Sequence, residues 1–215
     1  MNQQKRSIVS QERKISEADC LKKLDSIFEP DPRNLKYEIY DEKLRRYRPF
    51  TFEDHYRTVE ELKLHEGVPD DVFIQFEKAR NLYLYTWFFY RFEQIVEMQA
   101  YAVTEFALRV RYGGNTRKTL KPLLDHAVKN GWLKNEGFRG YQRKIRQRER
   151  DLELIDSEAV ERLKEEKKGS YVGVLAKTLP SLRNIHAHGG PTLHPNSYTT
   201  LEICCDIINQ LFESN

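Results

Sequence analysis

From Asp70 to Tyr112 the chain runs without a glycine or a proline. A stretch of that length free of both breakers favours helix over any other regular structure. Within it Tyr85, Phe88, Phe92, Ile95, Ala102, Phe106 and Val110 recur at helical spacing and predict one apolar face. The segment reads as the central strut of a bundle, as one helix or as two joined by a kink that the sequence does not mark. Pro69 and Asp70 open it, with Asp70 a good N-cap, and Gly113-Gly114-Asn115 closes it in a turn.

Shorter helices follow. Residues 116–129 carry Leu120, Leu123, Leu124 and Val128 and stop at Asn130-Gly131. A charged helix is predicted over 141–154, another over 157–168 and a third over 170–187. Pro195-Asn196-Ser197 opens the last, with Leu201, Cys204, Ile208 and Leu211 on one side. No window alternates with period two for long enough to demand a strand, so the expected class is all-α. Residues 1–66 are charge-rich and broken by Pro30 and Pro32. Cys20, Leu21, Leu24, Ile27 and Phe28 predict a helix over 16–28. Tyr37, Tyr40, Leu44 and Tyr47, spaced three and four apart, predict a second, and 51–65 a third. Gly67 and Pro69 then divide a helical N-terminal extension, 1–66, from a helical domain, 67–215.

Composition narrows the class of function. Apolar residues make up 39% and charged residues 32%, which suits a bundle with a solvated exterior and not a large α/β enzyme. The net charge of +3 is a weak lean, so a basic surface must come from local clustering. Cys20 and the adjacent Cys204-Cys205 form no disulfide framework and point to a reducing compartment. The polar first residues do not read as a signal peptide, and the longest apolar run, 82–90, is far shorter than the ~20 residues of a membrane span. A cytoplasmic protein with no membrane attachment is expected. No repeat, Walker loop or dinucleotide fingerprint occurs.

The segment Leu182-Arg183-Asn184-Ile185-His186-Ala187-His188-Gly189-Gly190 carries the most chemistry. Arginine stays cationic and fits phosphate oxygens with a planar fork. Histidine titrates near neutrality and serves as base or acid. Five residues on an ideal helix leave Arg183 and His188 ~140° apart, so they converge only if the helix ends near Ala187. The glycine pair permits that ending. The structural alternative is a salt-bridged Arg183 and a helix-capping His188.

Arg183, Asn184 and His188 match the Arg-Asn-x-x-x-His pattern of the HEPN superfamily, and the flanking wording resembles its prokaryotic members. The resemblance covers this motif and the helical layout of about the last two thirds of the chain. It implies an all-α, HEPN-like helical bundle with a helical N-terminal extension. It also implies a metal-independent endoribonuclease of toxin–antitoxin or phage-defence type, or a catalytically silent relative that binds RNA, nucleotide or protein. In the first scheme His188 is base or acid, Arg183 holds the scissile phosphate, and Asn184 and His186 support them, with no cofactor. The implied partners are RNA, a second copy sharing one cleft, and an antitoxin or other regulatory protein.

Other constellations compete for attention. His186, His188 and His194 do not make a metal site on a helix, because a His-x-His pair points about 200° apart, and Cys204-Cys205 lacks zinc spacing. Glu93 and Glu97 lie a turn apart, but no Glu-x-x-His accompanies them, which excludes a four-helix di-iron centre. Arg139, Arg143, Arg146 and Arg150 line one helical face, with Lys144 and Arg148 beside it. That row can track a phosphate backbone or be a solvated face laced to Glu149, Asp151 and Glu153. Tyr37, Tyr40 and Tyr47 suit base stacking or packing of the arm. The aromatics between Tyr83 and Tyr90 surround their helix, so part of that surplus is expected at a subunit interface.

Overall fold

A computed structural model of the protein describes residues 15–153, 170–188 and 196–213. Among them the chain forms a β-hairpin, β1 (Glu38–Asp41) and β2 (Arg46–Pro49), and seven α-helices. These are α1 (Phe52–Glu60), α2 (Asp70–Tyr85), α3 (Phe92–Tyr112), α4 (Leu120–Lys129), α5 (Arg139–Glu153), α6 (Tyr171–Ala187) and α7 (Ser197–Phe212). The fold is mostly helical, as the periodicity predicts. The helix expected over 157–168 and the Gly189-Gly190 exit lie outside the described residues.

Helix α3 is the strut. It packs chiefly on α2 and α7 and also meets α4 and α6. Phe76, Tyr101, Leu108, Leu123, Leu201 and Ile208 are buried in one continuous core, each contributing about 1.5–3 kcal/mol of transfer free energy. The face expected for this strut meets the core only in part, through Phe106 and Val110. Tyr85, Ile95 and Ala102 point outward, while Val96, Ala100, Val103 and Leu108 point in. The helix is apolar on most sides and carries Glu93, Glu97 and Glu105 on its inner face, so periodicity alone does not decide the side.

The kink lies at 86–91, and its cause is tertiary. Asp31 donates its N–H to the Trp87 carbonyl and accepts the Tyr90 N–H on its carboxylate. Asn34 donates both side-chain hydrogens to the Thr86 and Trp87 carbonyls, and Lys22 reaches the Phe88 carbonyl. Backbone groups released by the break are therefore satisfied by the N-terminal segment. Asp70 is the first residue of α2 and not its cap, which is Pro69; Asp70 and Asp71 still face the positive end of the helix dipole.

The extension departs most from expectation. Residues 16–28 form two short 3-10 turns, Glu17–Asp19 and Leu24–Ser26, with Leu21, Leu24 and Phe28 exposed. The segment predicted as a second helix is the hairpin. Its spacing of tyrosines is satisfied across strands, with Tyr40 opposite Tyr47 and their rings 5.3 Å apart. Asp41 fixes the turn by accepting the N–H groups of Lys43 and Leu44 and pairing with Arg48. The third expected helix forms as α1, opened by a capping box between Thr51 and Asp54. Phe50, Phe52 and His55 then cover Trp87, with ring centroids 5.7–6.1 Å away. Much of the aromatic surplus assigned to a subunit interface is thus buried within the chain, and Tyr85 and Phe92 stay exposed.

Candidate active site at the end of the motif helix

Ser170 caps α6 by accepting the Gly173 N–H on its hydroxyl, and Val172, Leu175, Ala176 and Leu179 bury the inner face. Pro180 lies inside the helix and withdraws the donor that the Ala176 carbonyl would accept. The helix ends at Ala187, where convergence of the motif requires it to end. His188 is the C-cap, its N–H bonded to the Asn184 carbonyl at 3.1 Å.

Arg183 is half-exposed and lies between two clefts. One, of about 460 Å³, is lined by Met98, Ala102, Glu105, Arg109, Arg183 and Ala187. The other, of about 250 Å³, joins Lys121, Lys177, Ser181, Arg183 and Asn184 to the start of α4. Arg183 donates to Glu105 Oε2 at 3.3 Å and to Asn184 Oδ1 at 3.2 Å. Glu105 also binds Arg109, so two guanidiniums share one carboxylate and a surplus positive charge faces the clefts. An anion placed there meets Arg109 and Arg183 together, the arrangement that suits a phosphate.

His186 does not line this cleft. Its side chain is 10% exposed and pairs with Glu97, itself buried, with the Tyr101 ring 6.1 Å away. Burial pushes the Glu97 carboxyl up to about 7, against a hydrogen bond from Thr200 that lowers it, and the charge of Glu93 adds to the rise. His188 is exposed, and no side-chain hydrogen bond joins it to Arg183 among the described residues. The structure thus brings Arg183 and Asn184 together, sets His188 a turn beyond them, and places His186 in the α3–α6 contact.

The arginine row is a separate feature. Arg139 binds Asp206 at 2.7 Å and Arg143 binds Glu202, both acids buried on α7. Those two arginines hold α5 to the body, while Lys144, Arg146 and Arg150 are exposed. The row starts beside Tyr171, where Tyr141 packs, and one length of α6 separates that end from the motif, about 25 Å. Sequence reasoning weighed Glu97 only as a metal ligand, and it missed Arg109, Lys177 and, on the helix of Glu97, Glu105. The signal for Glu97 and Glu105 was present, as acids recurring on one side of an otherwise apolar helix.

Among the described residues no group of three or more His, Cys, Asp or Glu could hold a metal ion, and no helix is long and apolar enough to cross a membrane. Burial pushes the Cys204 thiol up to about 12 and the Cys205 thiol up to about 11, so neither is a ready nucleophile. Comparison of the chain with protein-family models, with curated proteins and with solved structures finds no match.

Proposed function

We propose that the protein is a metal-independent endoribonuclease of HEPN type, acting at the C-terminal turn of α6. The observation that carries this reading is the ending of α6 at Ala187, which leaves Arg183 in a basic cleft and His188 exposed, with no side-chain hydrogen bond among the described residues. Arg183, with Arg109 beside it, holds the scissile phosphate. His188 takes the proton of the ribose 2'-hydroxyl as that oxygen attacks phosphorus, or returns a proton to the departing 5'-oxygen. Asn184 steadies Arg183, and His186 acts at a distance by anchoring the helix to Glu97. The products are a 2',3'-cyclic phosphate and a 5'-hydroxyl.

The partners proposed with this activity are RNA, a second copy and a restraining protein, in a cytoplasmic setting. Ile95 and Met98 on α3 and Leu182 and Ile185 on α6 are 41–52% exposed. They lie on the two helices that hold Arg183 and supply the apolar surface a two-fold contact needs.

Incubation with total RNA in chelator tests the reading. Cleavage is expected with DNA left intact, and His188→Ala and Arg183→Ala each reduce it by about 10² to 10⁴. Full activity in His188→Ala excludes the assignment. A second reading, a silent module that binds RNA, nucleotide or a partner protein, is favoured by the Arg183–Glu105 ion pair, which occupies the guanidinium. RNA binding without cleavage by the wild type selects it.

A further inference from the structure

Six acids are buried among the described residues: Asp31, Glu93, Glu97, Glu105, Glu202 and Asp206. Five face a basic partner. Asp31 pairs with Arg33, Glu97 with His186, Glu105 with Arg109 and Arg183, Glu202 with Arg143, and Asp206 with Arg139. Glu93 has no such partner among the described residues, although it is 7% exposed. Its carboxylate accepts the Ser197 N–H at 3.2 Å, and burial raises its carboxyl above the usual range. A buried carboxylate without a counter-charge is costly unless something else compensates it.

Glu93 opens on a cavity of about 220 Å³ between the extension and the helical body. Its walls are Tyr37, Phe50, Tyr83, Tyr90 and Tyr198, with His55 and Asn34. Tyr37 is 44% exposed and Phe50 and Tyr198 are partly so, which makes them a rim; Tyr83, Tyr90, Asn34 and His55 form a buried floor. His55 stacks on Tyr83 at 4.3 Å, and Tyr83 and Tyr198 meet at 53°, so the rings enclose the space from several sides.

Besides four tyrosine hydroxyls, which both donate and accept, the box holds side-chain acceptors with no hydrogen left to give. His55 Nε2 bonds the Tyr83 carbonyl and must carry the hydrogen, which leaves Nδ1 a lone pair. Asn34 spends its amide hydrogens on two backbone carbonyls, which leaves Oδ1 without a partner among the described residues. Aromatic faces attract cations, and acceptors free to take a hydrogen at a cavity wall suit a guest with N–H donors. An anion would meet Glu93, and a neutral apolar guest would leave the acceptors unsatisfied.

We propose that this aromatic box, with Glu93 at its floor, binds a small organic cation bearing N–H donors, an alkylammonium or alkylguanidinium group. The cavity is smaller than the ~300–1,000 Å³ of drug-sized sites, which restricts the guest to a few carbons beyond the charged head. The site is independent of the ribonuclease reading and stands or falls without it.

Calorimetric titration of the full chain with n-butylammonium and n-butylguanidinium chlorides tests it. Both should bind, tetramethylammonium should bind more weakly for want of N–H donors, and 1-pentanol should not bind. A short lysine-containing peptide separates the sources: binding equal to the free amine supports a side chain offered by another protein, and its failure supports a free small molecule. Glu93→Gln should weaken cation binding by about ten- to a hundred-fold, the size of a charged hydrogen bond. Tyr37→Ala, at the exposed rim, should weaken it several-fold and keeps the test open if Glu93→Gln unfolds. No binding of either cation, equal binding of pentanol, or unchanged affinity in both variants overturns the proposal, as does binding of adenosine in place of the cations.

Discussion

Arg139 is predicted to be a stability residue and not an RNA contact. Its Nε bonds Asp206 Oδ1 at 2.7 Å, and its backbone N–H bonds Oδ2 at 2.9 Å. Asp206 is 5% exposed, and burial raises its carboxyl, an effect that the amide and guanidinium of Arg139 oppose. Arg139→Ala removes the guanidinium and leaves the amide. Breaking a buried pair by deleting one partner costs about 3–5 kcal/mol. The Arg139 side chain is 35% exposed and the amide persists, so the expected loss is smaller, about 2 kcal/mol. For a chain of this length that lowers Tm by about 4–8 °C. Urea unfolding and a thermal melt followed by circular dichroism read the change. Exposed Arg146→Ala serves as the reference and should stay within about 0.5 kcal/mol of wild type. Adding Asp206→Asn to Arg139→Ala should restore part of the loss, because the orphaned charge is removed. Equal stability of Arg139→Ala and Arg146→Ala, or no recovery in the double variant, would sink the reasoning.

Three further outcomes are expected. If the outward side of α5 binds RNA, replacing Lys144, Arg146 and Arg150 with Ala should flatten the log–log salt slope by roughly one per lost phosphate contact, or about 0.7 for a single strand, with the melting temperature unchanged; an unchanged slope makes this face merely solvated. Burial holds the His55 imidazole below the ordinary value of 6.5, against a hydrogen bond to the Tyr83 carbonyl. The unfolded chain therefore binds the extra proton first, so wild-type stability falls as pH drops below about 6.5, and His55→Gln should show a shallower fall in melts from neutral to mildly acid pH. Thr51→Ala removes one half of the capping box of α1 and should cost about 1 kcal/mol in urea unfolding, whereas an unchanged midpoint would mean that the Arg48–Asp54 ion pair holds this turn by itself.

Where local rules govern, the sequence was legible. The stop at Gly113 and Gly114, both at positive φ, the span of α6 and the apolar side of α7 follow from turn chemistry and helical spacing. The extension was not legible, because three- and four-residue spacing of Tyr37, Tyr40, Leu44 and Tyr47 also suits a hairpin whose turn is set by Asp41. Nor was the kink at 86–91, since its backbone groups are satisfied from Asp31 and Asn34, far away in sequence. At the candidate site the motif residues were visible and their partners were not. Glu97 and Glu105 belong to another helix, and only the fold decides which of two close histidines meets an acid.

That decision is made by α3. Arg183 and His186 are three residues apart and lie on one side of α6, where Glu105 and Glu97 receive them. These two contacts fix the rotation of the helix about its own axis. His188 follows as the C-cap, outside the helix, and is exposed. Losing Glu97 would free α6 to roll and would disturb the placement of His188 at the end of that helix, which makes Glu97 a positioning residue of the proposed site although it lies on a different helix.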